Sequence, residues 1–269
     1  LLDFGTNGLL PLKDLPHVAD LVNLEQVEKL TKMLQRIRQQ LDDRKQAFQQ
    51  GGGASLTQYE MSTKKQLPII VNVIDSYDAA LEDHQRDAID STLMQVLREG
   101  NSLGIYLVMT TSRSSGIRMA MLNNMATQLP LFLIDNDELR NIMGREYIQQ
   151  QVFNGRGQLA VDEQVNAIQI YTPNHKTETL AILQRLKEDV TVMTVSWQGE
   201  RPSVLPIVPS EFELAAFNHD QRVVEWVAAG KLPLGLALSD TAPLGFIPDQ
   251  QAFFLIAHST EEQLANIQK

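Results

Sequence analysis

An aspartate closes the most apolar run in the chain, Ile69-Ile70-Val71-Asn72-Val73-Ile74-Asp75. A carboxylate there, at the carboxyl end of a buried strand, can hold the water shell of Mg²⁺ beside a nucleotide. The same carboxylate would serve equally well to cap a following helix. A second polar cluster, Thr110-Thr111-Ser112-Arg113, closes the run that begins at Ile105. Hydroxyls and a guanidinium in that place can sense a terminal phosphate, or can cap a helix and leave the arginine on the surface. Ligands of open α/β sheets bind at the carboxyl ends of strands, so both clusters point toward phosphoryl chemistry.

The usual partner of such an aspartate is a phosphate cradle, G-x-x-x-x-G-K-[ST], and these 269 residues contain none. Gly230-Lys231 is followed by Leu232, and Glu225 stands where the first glycine belongs. The turn His258-Ser259-Thr260-Glu261 has neither glycine nor lysine, and Glu261 and Glu262 would repel an anion. Other chemistries find less support. The five histidines show no H-x-x-x-H spacing, there is no G-x-S-x-G elbow, and there is no cysteine. Asp83 and Asp87 flank Arg86 on what reads as a solvated helix face, and Met119, Met121 and Met125 read as core packing.

The elements that must position these residues follow from periodicity. A short strand (1–4) leads into a Gly/Pro-rich loop to Pro16. Leu24, Val27, Leu30, Leu34, Ile37, Leu41 and Phe48 then recur at helical spacing, with Glu25, Lys32, Arg38, Asp42 and Lys45 opposite, on a face expected to be solvated. The run 69–75 predicts a parallel strand covered on both faces. Further expectations are a helix at 84–99 stopped by Gly100, a strand at 105–111 and a turn at 112–116. After these come a helix of about ten residues from Ile117, a strand at 131–135, and a short helix at 137–143. A hairpin, 157–161 with 167–171, turns at Asp162-Glu163, and a helix spans about 174–188. Strand and helix in alternation predict an α/β fold with a mainly parallel sheet. From Glu200 prolines are dense, which predicts an extended linker carrying one helix at about 211–229. Ala252–Ala257 again reads as a buried strand, with a helix start behind it.

The composition agrees with a globular α/β chain: 43% hydrophobic, 21% charged, and a net charge of −10. That charge argues against general binding to a nucleic-acid backbone. No apolar run approaches the roughly 20 residues of a membrane-spanning helix.

Taken together, these segments resemble the FtsK/SpoIIIE-type P-loop ATPases. The likeness rests on Leu2-Asp3-Phe4-Gly5 through Gly8-Leu9-Leu10-Pro11-Leu12, on Leu15-Pro16-His17-Val18, and on the helix ending Arg44-Lys45-Gln46-Ala47-Phe48. The Tyr59 segment, Leu67-Pro68 running into Ile69–Asp75, Leu107–Arg113 and Gly155-Arg156-Gly157-Gln158 continue it. Val224-Glu225-Trp226 and Gly230-Lys231-Leu232-Pro233-Leu234-Gly235-Leu236 resemble the connector between modules of the type VII secretion ATPases, multi-module membrane proteins of bacteria.

The resemblance implies a RecA-like sheet lacking its own P-loop strand and helix. It implies an ATPase module over 1–199, a linker over 200–249, and the first strand and helix start of a next module over 250–269. Asp75 would be the Walker B carboxylate, holding Mg²⁺ through its water shell, with Ser76, Thr111 and Arg113 beside the nucleotide and Arg145 and Arg156 as inter-module arginines. Ser76 stands where such motors carry a catalytic glutamate, and a hydroxyl is a poor base, so a degenerate module is expected. The parent would use ATP and Mg²⁺, and this piece alone would bind neither tightly. Implied partners are neighbouring modules of the same chain, WXG100-like secreted substrates and further copies of the protein, with no nucleic acid and no membrane contact by this piece. The implied location is the cytoplasmic face of the bacterial membrane. The strand at 252–257 has the shape to fill the vacant place in the sheet. Two alternatives remain at this point: a DNA-translocating motor, against which Ser76 and the net charge speak, and a purely structural α/β scaffold.

Overall fold

A computed structural model describes residues 1–144, 146–149, 152–162, 164–209 and 211–248. Arg145 and the segment 252–257 therefore lie outside the described residues. The chain divides into two compact units, Leu1–Leu205 and Pro206–Lys269.

In the first unit the apolar runs pair as expected. Strands β1 (Leu2–Asp3), β2 (Ile70–Asp75) and β3 (Ile105–Met109) form a parallel sheet in the order β1-β2-β3. The register sets Leu2 beside Ile74, Ile70 beside Ile105 and Ile74 beside Met109. Side chains alternate across a pleat, so Ile70, Ile74, Ile105 and Met109 share one face. That face meets α1 (Val27–Gly51), α2 (Leu56–Thr63) and α3 (Arg86–Leu103) in one core. Leu30, Leu34, Ile37 and Leu41 of α1 and Ile89, Leu93 and Val96 of α3 are all buried there, at the three- and four-residue steps that place them on one stripe.

Arg44 ties this core to the base of the sheet. Its buried guanidinium donates to the carbonyls of Leu103 (2.6 Å), Gly104 and Pro68, thereby joining α1 to the end of α3 and to the approach of β2. Burial pulls its pKa down, and nearby Glu60 opposes that. A cation on the orphan carbonyls of a helix C-terminus also complements the helix dipole.

Several expectations need correction. The opposite sheet face is not covered among the described residues: Val71 is 49% exposed and Val108 51%, with Tyr106 beside them. The continuous apolar run thus reflects a two-sided strand whose second face has no packing here. Helix α3 runs past Gly100 to end on Gly104, whose φ of 69° is the left-handed cap. Gly100 instead allows close approach, because a Cβ there would lie 2.2 Å from the Ile105 carbonyl oxygen. Lys32 and Arg38 are not simply solvated: Lys32 is buried against Glu28, and Arg38 donates to Thr92 of α3.

Beyond β3, α4 is only Met119–Leu122, where a longer helix is expected. Residues 131–135 form no strand, and Ile134 is 93% exposed; the apolar run has no sheet neighbour to extend. Helix α5 (Asn136–Met143) forms as expected, with Asp135 accepting from the Asp137 amide as its N-cap. The hairpin pairs β4 (Arg156–Val161) with β5 (Gln164–Gln169), three residues earlier in its second strand than expected. Helix α6 (Thr179–Ser196) is displaced toward the C-terminus, and only Val190 of it is buried.

The second unit holds more regular structure than an extended linker. The expected single helix is two, α7 (Leu214–His219) and α8 (Gln221–Ala228), interrupted at Asp220, whose side chain caps the second. Arg222 holds the Asp220 carboxyl down to about 2. A hairpin of β6 (Leu232–Leu236) and β7 (Pro243–Phe246) follows. Its prolines are tolerated because both strands of a two-stranded sheet are edges.

Candidate functional site

The carboxyl ends of β2 and β3 place Asp75 and Thr110 side by side. Thr110 Oγ1 donates to Asp75 Oδ1 at 2.7 Å and accepts the Ser76 amide at 2.9 Å. The Ser76 hydroxyl lies 3.3 Å from Asp75 Oδ2. Phe4 N–H donates to the Asp75 carbonyl, which brings the loop after β1 over the same place. That loop must be thin. A Cβ on Gly5 would stand 2.6 Å from Ser76 Oγ and 3.3 Å from Asp75 Oδ2. Asp3, buried at the end of β1, shapes the loop by accepting the Gly5 and Leu9 amides.

Ser76 adopts the left-handed region, φ 56° and ψ 52°. A non-glycine residue there is strained, and such strain persists only where neighbours enforce it. The enforcement is visible on both sides. Tyr77 N–H donates to the Thr110 carbonyl, and the fully buried Tyr77 ring sends its hydroxyl to Asp90 of α3. Burial, together with the bond to Asp90, pushes the Tyr77 phenol well above its ordinary pKa. Arg118 closes the cluster, with Nε 2.7 Å from Asp90 Oδ2 and a second bond to Asp87.

The expected site residues are thus only partly brought together. Asp75 and Ser76 are together at the strand end. Thr111 is one residue beyond the contact: Thr110 reaches Asp75, while Thr111 Oγ1 lies 3.2 Å from Asp78 Oδ1 and 2.9 Å from the Arg113 carbonyl. Arg113 is exposed, and its guanidinium has no partner among the described residues. Arg156 lies on β4, bonded to Gln169 and stacked over Phe153 at 5.3 Å, as a surface hairpin arginine.

Sequence reasoning placed Thr110 in a polar cluster and considered Asp78 as a substitute base expected to point elsewhere, as it does; it missed the bond from Thr110 to Asp75 and the parts played by Tyr77 and Asp90. Asp78, two residues past Ser76, faces the loop after β3: it accepts the Ser112 amide at 3.0 Å and the Ser112 hydroxyl at 2.5 Å. Burial would raise its pKa, but these bonds with Thr111 outweigh that and hold it below the usual carboxylate range. The signal was the polar alternation in Asp75-Ser76-Tyr77-Asp78, which a left-handed turn folds toward the neighbouring strand end.

One exposed-side carboxylate ringed by hydroxyls fits Mg²⁺, which keeps most of its waters and needs only one or two carboxylates besides phosphate oxygens. No group of three or more His, Cys, Asp or Glu that could cage a metal occurs among the described residues. Neither of two cavities in this unit includes Asp75. One, of about 130 Å³, lies among Asp3, Asn7, Lys13 and Lys29; the other, of about 360 Å³, lies among Leu15, Pro16, Thr194, Arg201 and Val204.

Comparison with known proteins bears on the family and the fold. The family model described as the FtsK/SpoIIIE family matches residues 1–229. The type VII secretion system protein EssC of Staphylococcus aureus (strain MSSA476) is 31% identical over 236 residues, 88% of this chain and 16% of that protein. The chain therefore spans about a sixth of that relative's length. Among solved structures, EssC (ATPases 2 and 3) from Geobacillus thermodenitrificans superposes with a TM-score of 0.81 at 29% identity, covering 90% of this chain and 46% of that one. Thermomonospora curvata EccC (ATPases 2 and 3), solved in complex with a signal sequence peptide, shares the fold at TM-score 0.67 and 18% identity, covering 90% and 43%.

Proposed function

The chain belongs to the FtsK/SpoIIIE family, and we propose that it is a degenerate nucleotide-binding module of a type VII secretion ATPase, regulating protein export rather than driving it by fast hydrolysis. The observation that carries this reading is Ser76, held in a left-handed turn beside Asp75, where the family pattern calls for a glutamate. A serine hydroxyl at ordinary pH accepts a proton poorly, so water next to Asp75 would lack a general base.

In this reading Asp75 orients the water shell of Mg²⁺, and Thr110 fixes the Asp75 carboxylate through one of its oxygens. Bound Mg²⁺ would neutralise phosphate charge. Arg113 is free to meet a terminal phosphate. The phosphate cradle is not among these 269 residues, so tight ATP binding needs groups from beyond them. Arg145 and Arg156 would serve contacts between modules. The domain limits proposed are the module at 1–199, the linker at 200–249 and the start of a next module at 250–269. The parent would lie at the cytoplasmic face of the bacterial membrane; no helix among the described residues is long and apolar enough to cross a membrane. Its partners would be neighbouring modules, further copies, and small helical WXG100-like substrates. The signal sequence peptide bound by the EccC relative supports the last of these.

The test is labelled ATP with Mg²⁺ on the full-length protein. Asp75→Ala should weaken binding about tenfold or more, the scale of a lost charge-assisted contact. Unchanged binding and turnover would remove the nucleotide role of Asp75. Ser76→Glu should raise turnover about a hundredfold, within the usual range for a positioned base. No rise would show that residue 76 is not what limits hydrolysis.

A further inference from the structure

Asp78 is the first carboxylate after residue 76 and the nearest apart from Asp75, and its geometry assigns it a task other than that of a base. We infer that Asp78 is a positioning residue, whose carboxylate sets the loop 111–113 and thereby aims Arg113. This rests on reading that loop as a sensor of a terminal phosphate.

Both Asp78 oxygens are occupied. Oδ1 accepts the Ser112 amide at 3.0 Å and faces Thr111 Oγ1, while Oδ2 accepts the Ser112 hydroxyl at 2.5 Å. A base needs a lone pair aimed at water, and three of the roughly four lone-pair directions of this carboxylate are taken by the protein. The carboxylate is itself well held. The left-handed Ser76 turns the chain toward β3, and Tyr77 and Ala80 on either side of Asp78 are each 1% exposed. On the far side of Arg113, Ser114 donates through its amide and its hydroxyl to Glu138 Oε1, both at 2.6 Å. Arg113 therefore sits between two carboxylate clamps, while its own side chain is free among the described residues. Its direction is set through backbone alone. A guanidinium whose loop is already ordered loses less entropy when it meets an anion.

The substitution Asp78→Asn separates the two roles. Asparagine keeps an acceptor for the Ser112 amide, and its NH₂ can donate to the Ser112 hydroxyl, but it cannot take a proton from water. On the full-length protein, Asp78→Asn should lower affinity for fluorescent ATP with Mg²⁺, and turnover, by no more than about threefold. Asp78→Ala should lower affinity about tenfold, the loss expected for one or two hydrogen bonds to a charge. The double variant Asp78→Ala/Arg113→Ala should bind no more weakly than Arg113→Ala alone, because the aspartate acts through the arginine. Without nucleotide, Asp78→Ala should speed hydrogen exchange of the Ser112 amide about tenfold, well beyond any change at amides of the core.

Loss of turnover in Asp78→Asn with binding intact would overturn the inference and make Asp78 the base. Fully additive effects of the two alanines, or unaltered Ser112 exchange, would overturn it as well. Unchanged ATP affinity in Arg113→Ala would overturn the phosphate-sensing reading on which it rests. Faster Ser112 exchange in Asp78→Ala would then still support the carboxylate as what holds the loop.

Discussion

Residues 1–122 and 123–205 belong to the same unit and bury their apolar side chains to very different extents. In the first stretch Leu30, Leu41, Ile74, Ile89, Leu93 and Met121 are fully buried in one core behind the sheet. In the second, Leu180 is 82% exposed and Tyr171 95%, and Val192 and Val195 of α6 also face outward. The two stretches are hydrophobic in similar proportion. What differs is how much partner surface each finds among the described residues: α1 and α3 share a sheet face, whereas α6 meets the loop after β1 and buries only Val190. Amphipathic periodicity yields stability only when two such faces meet.

The largest expected contrast comes from cavity formation. Leu93→Ala should destabilise the unit by about 4 kcal/mol in denaturant unfolding, because the surrounding core cannot collapse into the space. A loss under about 1 kcal/mol would show that the core is looser than its burial implies. Next is Arg44→Ala, expected to cost about 3 kcal/mol by leaving three carbonyls without their charged donor. Replacement by lysine should recover only part of this, since the three donors of an ammonium radiate from one nitrogen, whereas Arg44 reaches its carbonyls from two.

A smaller effect is expected at the strand ends. Asp78 carries a lowered pKa, so its contribution is complete above the ordinary carboxylate range. That contribution fades as pH falls through the lower native value, because the unfolded state then takes up the proton first. Asp78→Asn should flatten this part of the acid unfolding curve, and a curve of unchanged shape would remove Asp78 as a contributor. The smallest effect should come from Leu180→Ser, within about 0.5 kcal/mol as for surface positions generally. A larger loss would mean that α6 has a partner surface, and would narrow the contrast between the two stretches.

The same division governs what could be read from the residues. Strands β2 and β3 and helices α1 and α3 were legible because long periodic or continuous apolar runs leave few alternatives. Residues 131–135 carry an equally apolar run and form no strand, since a strand needs a neighbour and residue composition does not supply one. The β6–β7 hairpin was hidden by Pro233 and Pro243, which mark loops in longer sheets but fit a two-stranded one. At the site, Asp75 and Ser76 stood out through position and type. The partners of Asp78 and Asp90 did not, because Ser112, Tyr77 and Arg118 lie 34, 13 and 28 residues away and meet them only through the fold.

The narrow gap between Gly5 and Ser76 has a consequence for how such a site could change over generations. At position 5 any methyl would press on the Ser76 oxygen, 2.6 Å from where a Cβ would stand. A lineage that replaced Ser76 by a longer acidic side chain would therefore have to retain glycine at position 5. One that lost this glycine would be confined to a smaller residue at 76 or a displaced turn. The two positions, 71 residues apart, would drift as a pair, and the order of the steps would decide which descendants could carry a carboxylate at position 76.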